Sequence, residues 1–126
     1  MRIKTYVVED SPTIRDNLIA TLEELTGVTT VGTAETEKEG LDWLTNSSNE
    51  WDLAIVDLFL KQGTGLGVVS ACKKRSLAQK VIVLSNYATS DVRKQCALLG
   101  VDAVFDKSTE IEQLLEFCVN LSESPS

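Results

Sequence analysis

The chain has 126 residues, 43% of them apolar and 25% charged, a globular balance at the size of one domain that excludes a disordered tract or two independent cores. Its formal net charge of −7 disfavours nucleic acid as a direct partner, because duplex phosphates need a basic surface, and favours a cation or a basic protein face. With no histidine, it has no histidine-based acid–base catalysis, none of the usual zinc ligand sets and no phosphohistidine of its own.

In chain order, Ile3–Val8 reads as a first strand. Ser11 then caps a helix with Pro12 in its first turn and Ile14, Leu18, Leu22 and Leu25 as an inward stripe. Val28–Ala34 is the second strand. Thr36 and Glu39 form a capping box for a second helix, which carries Leu41 and Leu44 inward and Gly40 against its propensity. Leu53–Val56 is the third strand. A third helix starts near Gly65–Gly67, runs through Val68, Val69 and Cys72 and finishes on Lys73, Lys74 and Arg75, cations suited to a helix C-terminus. Val81–Leu84 is the fourth strand, followed by a helix through Val92, Cys96 and Leu99 that Gly100 stops. Ala103–Phe105 is the fifth strand. Thr109 and Glu112 then box the start of a fifth helix bearing Ile111, Leu114, Leu115, Cys118 and Leu121.

Several strands lack in-out alternation, as strands covered on both faces do. Five strands alternating with five helices predict a single doubly wound (βα)5 domain of the α/β class: a flavodoxin-like parallel sheet with helices on both faces. Residues 1–121 form the domain, and 122–126 are expected as a short flexible tail. Cys72, Cys96 and Cys118 sit among apolar neighbours as buried thiols, while Trp43 and Trp51 read as packing residues. No apolar stretch approaches the roughly 18 residues of a spanning helix, and Met1–Lys4 opens no secretory segment, so no membrane association and a cytoplasmic, reducing location are expected.

In open α/β sheets the site lies beyond the carboxyl ends of the strands. There the first strand ends in Glu9-Asp10, the third in Asp57, the fourth in Ser85 and the fifth in Asp106-Lys107. In the strand order 2-1-3-4-5 these ends converge. Gathered carboxylates repel one another unless a cation neutralises them, and an oxygen-only set suits a hard divalent ion, Mg2+ or Mn2+. Asp57 is then the candidate nucleophile for phosphoryl transfer, Lys107 the cation on the transferring oxygens and Ser85 a hydrogen-bonding partner of the product.

Over essentially its whole length the chain resembles the receiver domain of two-component response regulators. The matching segments are Val8-Glu9-Asp10-Ser11, Ile55-Val56-Asp57-Leu58 through Gly63-Thr64-Gly65, Val83-Leu84-Ser85, and Gly100-Val101-Asp102-Ala103 leading to Lys107. The resemblance implies that Asp57 accepts phosphate from a histidine kinase, a phosphotransfer protein or a small donor such as acetyl phosphate. It assigns Mg2+ to Glu9, Asp10, Asp57 and the backbone carbonyl of Phe59, with Ser85 as switch hydroxyl and Lys107 as the lysine. It also implies a slow intrinsic loss of the phosphoryl group rather than turnover catalysis. A face of the fourth helix, fifth strand and fifth helix would engage an unidentified downstream protein or a second copy of the chain. Since no further domain is expected after Leu121, output through protein contacts follows.

The chain departs from the family pattern at three places. Val104 stands at the usual aromatic position, with Phe105 expected on the opposite face of the strand. Ser108 follows the lysine where a cis proline is common, and Leu60 replaces a frequent proline. Phe59 and Tyr87 occupy positions that govern access of water to the phosphoryl group in such domains. The alternative function is a receiver-like interaction module that acts without phosphorylation. An aspartate-nucleophile phosphatase would need a second carboxylate at residue 59, where Phe59 stands.

Overall fold

The structure is a computed structural model that describes residues 2–123. Strands β1 (Ile3–Val8), β2 (Val28–Ala34), β3 (Leu53–Val56), β4 (Lys80–Ser85) and β5 (Ala103–Asp106) alternate with helices α1 (Pro12–Thr26), α2 (Glu37–Leu44), α3 (Gly65–Ala71), α4 (Ser90–Leu98) and α5 (Ile111–Glu123). All strand pairs are parallel, in the order β2-β1-β3-β4-β5. This is the flavodoxin-like arrangement expected from the sequence. Among the described residues no helix is long and apolar enough to cross a membrane.

Burial on both faces explains why the central strands read as unbroken apolar runs. In β3, Leu53 and Ile55 join Leu22 of α1 and Leu114 and Cys118 of α5 on one side. Ala54 and Val56 join Leu44 of α2, Val68 and Val69 of α3 and Cys96 of α4 on the other. Adjacent residues point to opposite sides of a strand, so both cores draw on the same four residues. The three cysteines are free and buried, and burial pushes the Cys118 thiol up to about 12 and Cys72 up to about 11. Trp43 stacks on Tyr6 with centroids 4.2 Å apart, and the Trp51 indole N–H donates to the Leu44 carbonyl at 3.1 Å. Both tryptophans are packing residues, as expected.

The glycine in α2 has a packing reason. A Cβ at Gly40 would lie 3.2 Å from Val8 and 3.3 Å from Val68, so the helix rests close against β1 and α3. Close approach outweighs the propensity cost of roughly 1 kcal/mol.

Local signals misplace three details. In α1 only the middle of the stripe faces inward: Leu22 is fully buried, but Ile14 and Leu25 are 44% and 59% exposed. α3 ends at Ala71, before the three cations; the Arg75 guanidinium nevertheless donates back to the Cys72 carbonyl at 3.1 Å and onward to Gly100 O at 2.7 Å and Asp102 at 2.8 Å. At the start of α5 the helix begins at Ile111, one residue later than a Thr109 cap requires. There Asp106 Oδ1 accepts the Ser108 and Thr109 N–H groups at 2.7 and 3.1 Å. The helix also runs through Ser122 and Glu123; residues 124–126 of the expected tail lie outside the described residues.

Two truncations on α1 separate core from surface. Leu22→Ala is expected to cost about 2–5 kcal/mol and Leu25→Ala less than about 0.5 kcal/mol, measured by urea unfolding; equal losses would mean that the whole stripe is buried.

Candidate functional site

The parallel sheet brings the expected residues to one crevice at its carboxyl end. Glu9, at the end of β1, Asp57, at the end of β3, and Ser85, the last residue of β4, are buried; Asp10 is half-buried. Carboxylate oxygens of Glu9, Asp10 and Asp57 all lie within 4.8 Å of one another. Lys107, just after β5, crosses the crevice, and its Nζ donates to Glu9 Oε1 at 2.5 Å and to Asp57 Oδ2 at 2.8 Å. Burial pulls the Lys107 pKa down, but hydrogen bonds and charge from Asp57 and Glu9 outweigh it and leave the pKa raised. The ammonium is therefore the stable form across the physiological range.

The second carboxylate oxygens of Glu9 and Asp57 are oriented by the backbone. Ser11 N–H donates to Glu9 Oε2 at 3.1 Å, and Phe59 N–H donates to Asp57 Oδ1 at 3.1 Å. Ser85 Oγ accepts the Tyr87 N–H at 3.0 Å, while its carbonyl accepts the Lys107 N–H at 3.0 Å, so the hydroxyl and the lysine share one backbone link.

Three carboxylates facing one ammonium leave two uncompensated negative charges in a partly desolvated crevice. A hard divalent cation matches both that deficit and the all-oxygen donor set, so the residues present fit such an ion. Phe59, whose carbonyl completes the expected set, lies in the β3–α3 loop and pairs in an isolated antiparallel bridge with Thr64. Phe59 is 57% exposed, and its ring meets that of Tyr87, a residue 61% exposed, edge to face at 5.0 Å.

The departures on the β5 side also become concrete. Val104 packs toward the core shared with α3 and α4, while Phe105 faces the α1–α5 side and meets Phe117 edge to face at 5.9 Å. The strand thus has no aromatic on the α4 side. Among the described residues no peptide is cis, and the Ser108 N–H donates to Asp106, a bond proline could not make. Arg93 of α4 was not foreseen. Its Nε reaches Ala88 O at 3.0 Å, Nη1 reaches Val104 O at 3.0 Å, and Nη2 reaches Glu110 Oε1 at 2.5 Å. This hydrogen bond to Arg93 is the main cause that holds the Glu110 carboxyl below its usual pKa. No local motif marks Arg93, because its partners become neighbours only when β5 docks beside β4.

Fold and crevice together define a doubly wound α/β domain with an acidic, lysine-bridged site. The chain matches the family model of the response regulator receiver domain over residues 5–118, and it belongs to that family. That family is the receiver domain of the response regulators of two-component signal transduction. It is 31% identical over 112 residues, 89% of its length, to a Pseudomonas aeruginosa protein described as a transcriptional regulator, of which the match spans 53%. The chain spans about half the length of the curated relatives it matches, 53% and 42%. Among solved structures, a DNA-binding response regulator of the LuxR family from Staphylococcus aureus aligns at TM-score 0.82 with 18% identity, over 96% of this chain and 99% of that one. A Burkholderia pseudomallei response regulator with a phosphorylated aspartic acid, calcium ion and citrate aligns at TM-score 0.78 with 24% identity, over 96% of this chain and 69% of that one. At these identities the structural likeness carries the fold.

The lysine bridge sets a measurable coupling. In a double-mutant cycle of Lys107→Met and Asp57→Asn at neutral pH with a chelator present, a coupling of about 1–2 kcal/mol is expected from unfolding curves. Additive effects would show that the bridge does not bind the strand ends together.

Proposed function

We propose that Asp57 is the phosphoacceptor and that the chain is a phosphorylation switch rather than a turnover enzyme. The observation that carries this reading is the triad of buried Glu9 and Asp57 with half-buried Asp10, and one lysine spanning Glu9 and Asp57. Glu9, Asp10, Asp57 and the Phe59 carbonyl would hold Mg2+, which supplies charge neutralisation on the phosphoryl oxygens when bound.

An Asp57 carboxylate oxygen attacks phosphorus in line. An O–P bond forms as the N–P bond of a phosphohistidine breaks, and the leaving imidazole nitrogen keeps the electron pair and takes up a proton. Lys107 already lies 2.8 Å from Asp57 Oδ2, so its ammonium meets the charge that moves onto the transferred group. Ser85 exchanges its bond with the Tyr87 N–H for one donated to a phosphoryl oxygen, and the β4–α4 loop follows.

The donor in this reading is a histidine kinase or a phosphotransfer protein, and the receiver of the signal is a protein contacting the face of α4, β5 and α5, whether a separate partner or a second copy. The buried thiols fit a reducing cytoplasm. At the position where an aspartate-nucleophile phosphatase carries its general acid, the chain has Phe59, which supports a switch over turnover.

Incubation with Mg2+ and acetyl phosphate is expected to add one acid-stable, base-labile phosphoryl group by intact mass, absent in Asp57→Asn and with chelator. No adduct from either acetyl phosphate or a kinase would leave the unphosphorylated interaction module as the better reading. The aromatic pair should exclude attacking water. Phe59→Asn combined with Tyr87→Ala is therefore expected to speed loss of phosphate several-fold, and an unchanged decay of the adduct would count against that role.

A further inference from the structure

Glu37 opens α2, where an acidic side chain ordinarily complements the helix N-terminus. Here it turns instead to the β3–α3 loop. Its Oε1 accepts the Thr64 N–H at 2.8 Å, and its own N–H donates to the Gln62 carbonyl at 3.1 Å. One residue thus grips the loop on both sides of Gly63. The loop is shaped to this contact: Gly63 has φ +81°, and a Cβ there would fall 2.4 Å from Glu37 Cβ. A Cβ at Gly67 would fall 2.3 Å from Glu37 Oε2.

Residues 61–64 are all exposed, so no apolar burial fixes them. Their geometry nevertheless reaches the acceptor in two steps. Thr64 pairs with Phe59 in the isolated antiparallel bridge, and the Phe59 N–H holds Asp57 Oδ1 at 3.1 Å.

We propose that Glu37 is a positioning residue for the phosphoacceptor site. By anchoring Thr64 it sets the segment of residues 59–64, and through it both the Phe59 carbonyl that would join the Mg2+ ligands and the Phe59 N–H that orients Asp57. This rests on the reading of Asp57 and its triad as a Mg2+-dependent acceptor site. Groups that orient metal ligands without touching the metal typically change affinity by about 10- to 100-fold when removed.

The test compares wild type, Glu37→Ala and Glu37→Gln, each shown to be folded by circular dichroism at the working temperature. Gln keeps an oxygen for the Thr64 N–H and drops the charge. Glu37→Ala is expected to speed amide hydrogen exchange at Thr64 and Phe59. It should also weaken Mg2+ binding by about 10-fold in calorimetry. Its rate of phosphorylation by acetyl phosphate should approach wild type as Mg2+ saturates, and Glu37→Gln should restore binding and exchange alike. Wild-type Mg2+ affinity in Glu37→Ala would overturn the positioning role alone, as would Glu37→Gln as weak as Glu37→Ala. A wild-type chain with no Mg2+ affinity would overturn the acceptor reading and this inference with it.

Discussion

Everything at the functional end of this molecule depends on one ammonium held between carboxylates of two other strands. Lys107 follows β5, Glu9 follows β1 and Asp57 follows β3, and the two bonds from Nζ close the crevice across the sheet. Each of these groups would be costly to bury alone. Together they are stable enough to persist, yet three carboxylates against one lysine leave the site short of positive charge. That residual deficit is one that a hard divalent cation, bound by oxygen ligands, fits.

The scaffold makes this concentration of charge tolerable. β1, β3 and β4 are covered on both faces, so their ends are fixed by two apolar cores rather than by the polar groups themselves. The polar contacts then refine strand ends whose placement the two cores have already set. Where the backbone must pass close to Asp57, side chains are excluded: a Cβ at Gly65 would sit 2.1 Å from the Asp57 carbonyl oxygen.

The contacts that join the β4–α4 loop, β5 and the start of α5 are polar here. Val104 offers no ring on that side, whereas the Arg93 guanidinium joins the β4–α4 loop at Ala88, β5 at Val104 and the start of α5 at Glu110. The loop it grips at Ala88 follows Ser85, whose hydroxyl holds the Tyr87 N–H.

The sequence by itself determined the sheet and which polar residues meet at its carboxyl end. Apolar runs bounded by polar residues marked every strand, and the residues that follow those runs were the ones that converge, because a parallel sheet puts all strand C-termini at one edge. Helix details were less legible. Ile14 and Leu25 share a periodic stripe with Leu22, yet they stay 44% and 59% exposed while Leu22 is buried, because periodicity gives a face but not the depth of its packing. Only the tertiary structure revealed the Lys107 bridge, the Arg93 tie and the grip of Glu37 on Thr64. Each joins residues 17 to 98 positions apart or contacts backbone groups, and no periodicity or motif encodes a hydrogen bond to a distant peptide.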